Sequence, residues 1–190
     1  MPLNLNPERV NERGLVDNLR SIERHLIDDH YKISVPPGTM ILQAPAVPAV
    51  VSNRWGVVEF PAAADSSGLY TYDRPSEWVL GKVRVTIWYS APAASTNNFR
   101  ILLQVTAVKT GGVTTASALL LTGAIAMPGP AVLNTVIKAV AYSTVNVTRD
   151  MELLTVRVMR QGTNVADTNA GVFHLYHTLV EHVSAVQEAT

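Results

Sequence analysis

Three histidines near the C-terminus, His174, His177 and His182, are the side chains in this 190-residue chain whose type and spacing come nearest to a metal site. They fall within an apolar stretch, 172–183, that reads as one long strand. Residues n and n+2 share a face of a strand, so His174 and His182 are expected on one face, His177 and Glu181 on the other. At about 3.3 Å per residue the first pair stands about 26 Å apart and the second about 13 Å. Neither spacing brings two ligands onto one ion, so no metal and no cofactor is expected unless a second subunit completes a site.

Two loops carry acids beside hydroxyl groups: Asp167-Thr168 within 161–171, and Asp65-Ser66-Ser67-Gly68. Either could be an acid/base pair. In a stretch rich in Gly, Asn and Thr, however, such side chains more often accept from nearby backbone N–H groups, and that use is expected here. The chain has no Gly-x-Ser-x-Gly elbow, no Walker loop, no dinucleotide fingerprint and no His-Glu-x-x-His. No catalytic residue is named and an enzyme is not expected. Trp55, Trp78 and Trp88, with six tyrosines, could build a sugar-binding platform. Trp78 and Trp88 flank the most regular strand, so packing in the core or between subunits is their expected use.

The elements that must position these residues change character along the chain. Residues 1–35 hold 11 of the 30 charged side chains. Asn6 can cap a helix, Pro7 suits its first position and Glu8 its first turn. Leu15, Leu19, Ile22 and Leu26 then recur at spacings of four, three and four, an apolar seam expected to serve oligomerisation. An amphipathic helix is therefore predicted within 1–34, lying on its own domain or joining copies of the chain. A Pro-rich stretch over 35–54 reads as an extended arm, with a short edge strand near 39–43.

From residue 55 to 190 the pattern is β. Val83, Val85, Ile87 and Tyr89 alternate with Arg84, Thr86 and Trp88, and Phe99, Ile101, Leu103, Val105 and Ala107 recur with the same period of two. Gly111-Gly112 reads as a hairpin turn into a strand over 113–121, and Met127-Pro128-Gly129-Pro130 as a break before another over 132–142. With segments near 56–60, 70–72, 153–160 and 172–183, seven or eight strands follow without an intervening helix. The fold class is mainly β: an antiparallel, jelly-roll-like sandwich behind an N-terminal helix and a Pro-rich arm. The sandwich is expected to fold without the segment before residue 51.

Composition narrows the function classes. Only 16% of residues are charged, against about 25% in an average protein. Hydrophobic residues make up 47% and mean hydropathy is positive, which favours surface buried between subunits. Basic and acidic residues number 15 each, so no nucleic-acid or anionic-membrane footprint is visible. With no cysteine, disulfides and thiolate metal sites are excluded. No apolar run is long enough to span a membrane, and the first residues lack the pattern of a signal peptide. Synthesis in the cytosol is expected, with assembly into a particle.

Two stretches carry a family resemblance. Trp78-Val-Leu-Gly81-Lys-Val-Arg-Val-Thr-Ile-Trp88-Tyr-Ser resembles a strand of the small β-sandwich proteins found among tailed-bacteriophage structural proteins. So does Glu152-Leu-Leu-Thr-Val-Arg157-Val-Met-Arg160-Gln-Gly162, followed by Ala166-Asp167-Thr168 and Gly171. The resemblance covers about residues 55–183 and rests on turn and packing motifs. It implies a non-enzymatic virion protein that forms a homotrimer. The first expectation is a capsid decoration, or cement, protein clasping the major capsid protein. The alternative is a tail-fibre or baseplate receptor-binding module held to tail proteins by its N-terminal helix.

Overall fold

The computed structural model of the chain describes residues 32–184 apart from 52–54, 77, 79–80, 96, 110, 112–117 and 133. Eleven strands form two antiparallel sheets, and no α-helix occurs among the described residues. In chain order they are β1 (Lys32–Val35), β2 (Ile41–Gln43), β3 (Val47–Val51), β4 (Trp55–Phe60), β5 (Asp65–Asp73), β6 (Gly81–Ser90), β7 (Asn98–Lys109), β8 (Ala118–Pro128), β9 (Ile137–Tyr142), β10 (Met151–Gln161) and β11 (Phe173–Ser184). The first sheet runs β3-β4-β11-β6-β9, and β1 also pairs with β11. The second runs β2-β5-β10-β7-β8.

The alternation read from the sequence is the core. Val83, Val85, Ile87 and Tyr89 from β6 and Phe99, Ile101, Leu103, Val105 and Ala107 from β7 are all buried. They meet Leu154, Val156 and Val158 of β10 and Leu175 and Val180 of β11 in one apolar cluster. At one end four rings close it: Phe173 lies 5.0 Å from Tyr89, 5.2 Å from Phe99 and 5.8 Å from Phe60, centroid to centroid. The mix of stacked and edge-on contacts suits the ring quadrupoles.

The N-terminal part of the domain differs from expectation. The seam residues Leu15, Leu19, Ile22 and Leu26 lie outside the described residues. The last residues of the segment assigned to the helix, Lys32–Ser34, are strand, because β1 pairs with β11 from Lys32 opposite Glu181 to Val35 opposite Thr178. The Pro-rich stretch is no free arm either. It supplies β2 to the edge of one sheet and β3 to the edge of the other. It also places Val35, Met40 and Ala46 in the core. The physical reason is that prolines sit where they cost no ladder bond. Pro36 and Pro37 make a 3-10 turn in which the Thr39 N–H and hydroxyl both donate to the Pro36 carbonyl, and Pro48 lies on an edge strand. Residues from Lys32 to Val51 therefore belong to the sandwich, ahead of the boundary expected at residue 55.

Later boundaries shift as well. The strand expected over 113–121 is β8 at Ala118–Pro128, paired with β7 from Asn98 opposite Pro128 to Ala107 opposite Ala118. The expected break is present, with β8 ending at Pro128. The strand expected over 132–142 starts only at Ile137. Before it Asn134, at φ 58°, donates its N–H to the Ala91 carbonyl; asparagine tolerates that left-handed conformation better than most residues.

Candidate functional site

A β-bulge at Tyr176 decides where the histidines point. β11 pairs with β6 with Leu175 opposite Tyr89 and His177 opposite Trp88, so Tyr176 is the extra residue. One inserted residue inverts the alternation beyond it. His174, opposite Ser90, and His177, opposite Trp88, thus share the outer face of the first sheet. His182, opposite Val83, faces the core and stacks on the buried Trp78 at 5.7 Å between centroids. The expected sharing of a face by His174 and His182 is therefore wrong, while His177 and Glu181 do lie on one face.

Each histidine has its own surroundings. His174 Nε2 lies 3.1 Å from Glu59 Oε1, across the β4–β11 ladder. Burial holds its imidazole below the ordinary range, although Glu59 pulls the other way. His177 tilts against Trp88 at 5.3 Å and has Ser34 Oγ at 3.5 Å; burial lowers its proton affinity too. His182 is lowered by burial and by the nearby Arg74 cation. No group of three or more His, Asp or Glu side chains able to hold a metal occurs among the described residues.

Glu59, His174 and Ser90 sit side by side on β4, β11 and β6, in the order of an acid, a base and a hydroxyl nucleophile. The hydroxyl is not set up for that chemistry. Ser90 is fully buried and its Oγ donates to Tyr176 Oη at 3.1 Å, not to His174. A nucleophile needs both its base and access for a substrate.

The two acidic loops are architectural. Asp167 takes two bonds from the fully buried Arg160, at 2.9 Å from Nε and 2.8 Å from Nη2. The remaining guanidinium donors go to the carbonyls of Phe60 (3.1 Å), Gly171 (2.6 Å) and Asn169, so all five are used. Asp167 also accepts the Arg100 N–H, and Thr168 Oγ1 the Asn98 N–H, the backbone role expected from the sequence. The buried ion pair was not anticipated; an arginine inside an otherwise apolar alternation, at the end of β10, was the available signal. Asp65 holds Thr163 through its N–H and hydroxyl.

An opening lies on the outer face of the first sheet, around the bulge. A cleft of about 540 Å³ is bounded by Val51 at the end of β3, Trp55 at the start of β4, Trp88 on β6, Tyr176 and His177 on β11, and Asn134 and Val136 before β9. Trp55 is 61% exposed, the most open ring of the group. Trp88 is flanked instead: along one cross-strand row, Lys138 of β9 puts its ammonium 5.8 Å from the ring centroid on one side and His177 lies on the other. Trp78 is in the core, one of the two uses expected; Trp88 is only partly buried and forms a wall of the cleft, so it is not a core residue. The cleft offers apolar ring faces with a few polar groups at its margin, the composition of a small-molecule site.

The fold places the chain among two-sheet antiparallel β-sandwiches of the kind that carbohydrate-binding modules use. A family 35 carbohydrate-binding module from Clostridium thermocellum superimposes with a TM-score of 0.53 at 11% identity, over 81% of this chain and 98% of that one. The C-terminal CBM6 of LamC, a laminarinase from the marine Zobellia galactanivorans, gives 0.51 at 9% identity, over 79% and 98%. A GH26-CBM35 β-(1,4)-mannanase from Podospora anserina gives 0.51 at 11%, over 82% of this chain but 28% of that one. At such identities the likeness is one of fold. No protein-family model and no curated protein sequence matches the chain.

Proposed function

We propose that this chain is a non-enzymatic recognition module of a tailed-phage particle, with a jelly-roll sandwich that binds carbohydrate in the aromatic cleft of its outer sheet face. The observation that carries the reading is the cleft itself: Trp55, Trp88, Tyr176 and His177 gathered on one sheet, with Asn134 at the rim. Sugar rings present apolar C–H faces that settle on aromatic rings, and hydroxyl groups that a few polar side chains can orient. The similar folds named above include carbohydrate-binding modules. The phage assignment rests on the resemblance at 78–90 and 152–171. In the fold, Trp78, Arg160 and Asp167 from those stretches are buried and hold the frame, as motifs of a scaffold should.

The test is saccharide binding by calorimetry, beginning with bacterial surface polysaccharides and their oligosaccharides. Trp55→Ala should weaken binding about tenfold or more, in line with losing about 1–3 kcal/mol of base- or sugar-type stacking on one ring. Its melting temperature should stay within about 2 °C of the parent, because an exposed ring contributes little to folding. Equal binding by the two proteins overturns the site.

A second reading, the trimeric cement protein, has its own observation. β9 is an edge strand of the first sheet, and Val136, Val140 and Tyr142 on it or beside it are exposed, with Val132 and Val145 in the flanking loops. Monomers seldom leave such an apolar edge uncovered. Light scattering of the full chain separates the two: the capsid-clasping role requires a trimer, and recognition alone does not.

A further inference from the structure

The charge around the cleft is unbalanced. Among the described residues, none of the side chains that bound it is acidic. The carboxylates nearest along the same sheet face are engaged elsewhere: Glu59 with His174 at 3.1 Å, and Glu181 with Arg84 through two bonds of 2.7 Å. Lys138, by contrast, is exposed and makes no ion pair among the described residues; its ammonium rests against the Trp88 ring. The register puts it there. Lys138 stands opposite Trp88 on β9, so the two side chains project from the same, cleft-bearing face of the sheet unless the pairing slips.

A cation against an indole keeps part of its attraction for an anion, since the ring quadrupole is a weak partner that leaves its outer hemisphere free. We infer that the cleft selects acidic saccharides, in which a carboxylate or sulfate meets Lys138 while the sugar ring lies against the aromatic wall. This rests on the carbohydrate reading above and narrows it to a ligand class. The anion would stand at the β9 side of the cleft and the apolar sugar face toward Trp55, which sets one direction for the bound chain.

The experiment uses the full chain and three matched oligosaccharides of equal length: neutral, uronic-acid-containing and sulfated. Calorimetry at low salt should find an acidic member bound about three- to fivefold more tightly than the neutral one, the scale of a solvent-screened charge pair. The uronate and sulfate arms say which anion fits. The preference should collapse in 0.5 M salt, since screening acts on the charge pair and leaves stacking intact. Lys138→Gln should bring acidic and neutral ligands to the same affinity while neutral binding is retained. If Lys138→Gln keeps the acidic preference, or the parent protein binds all three equally, the selectivity claim is overturned and the carbohydrate site stands. If none of the three binds and Trp55→Ala changes nothing, the site itself has failed.

Discussion

The two faces of the first sheet use the same kind of side chain to opposite ends. On the inner face Phe60, Tyr89, Phe99 and Phe173 cover one another, and Arg160 lies 4.9 Å over Phe99, so no ring surface is left over. On the outer face Trp55, Trp88, Tyr176 and His177 line a cleft whose most open ring is 61% exposed. All of these rings come from β4, β6 and β11 except Phe99, which β7 of the facing sheet contributes. The difference lies in what faces them: a second sheet at packing distance on one side, solvent and a short loop on the other. Aromatic content alone therefore says little about function; the uncovered set is the one available to a partner.

That contrast can be broken from the inside first. A chain starting at Val51 lacks β1, β2, all of β3 but its last residue, and the buried Val35, Met40 and Ala46, which strips an edge strand from each sheet and part of β11's pairing. It should fail to give a cooperative melt by circular dichroism. A cooperative unfolding transition for that fragment would show that the domain does begin near residue 55.

A smaller loss is expected from Asp167→Ala, which leaves the Arg160 guanidinium buried with its carbonyl contacts but no counter-charge. Removing one member of a buried pair typically costs about 3–5 kcal/mol. Chemical denaturation should register it, while the folded fraction still binds saccharide at the outer face. Were binding lost in step with stability, the two faces would not be independent.

The mildest perturbation is acid, and it touches both faces. His182 inside and His174 and His177 outside all have proton affinities lowered, chiefly by burial. Each is harder to protonate in the fold than in the unfolded chain, where the ordinary value is 6.5. The unfolded state then binds more protons, so stability is full above that pH and falls as the pH drops below it. The fall levels off once the folded-state values are passed. A single histidine can contribute a slope of at most about 1.4 kcal/mol per pH unit. Melting temperatures from pH 8 to pH 5 should decline below pH 6.5, and less steeply in His182→Gln. A flat profile would mean these rings are not buried as neutral bases.

Local pattern was enough for the sandwich and most of its core. Alternation over 83–89 and 99–107 is a property of consecutive residues, and Val83, Val85, Ile87, Tyr89, Phe99, Ile101, Leu103, Val105 and Ala107, its alternate members, are all buried. Turn chemistry marked the loops around Asp65 and Asp167 as architectural, and their hydrogen bonds bear that out. Three things were decided only by tertiary structure. Membership of β1 to β3 in the domain depends on pairings such as Lys32 with Glu181, far apart along the chain, which no local window contains. The faces taken by His174, His177 and His182 depend on one extra residue at Tyr176, and a period of two cannot reveal where it is interrupted. The cleft depends on strands from four parts of the chain meeting on one side of one sheet, where packing left their rings uncovered.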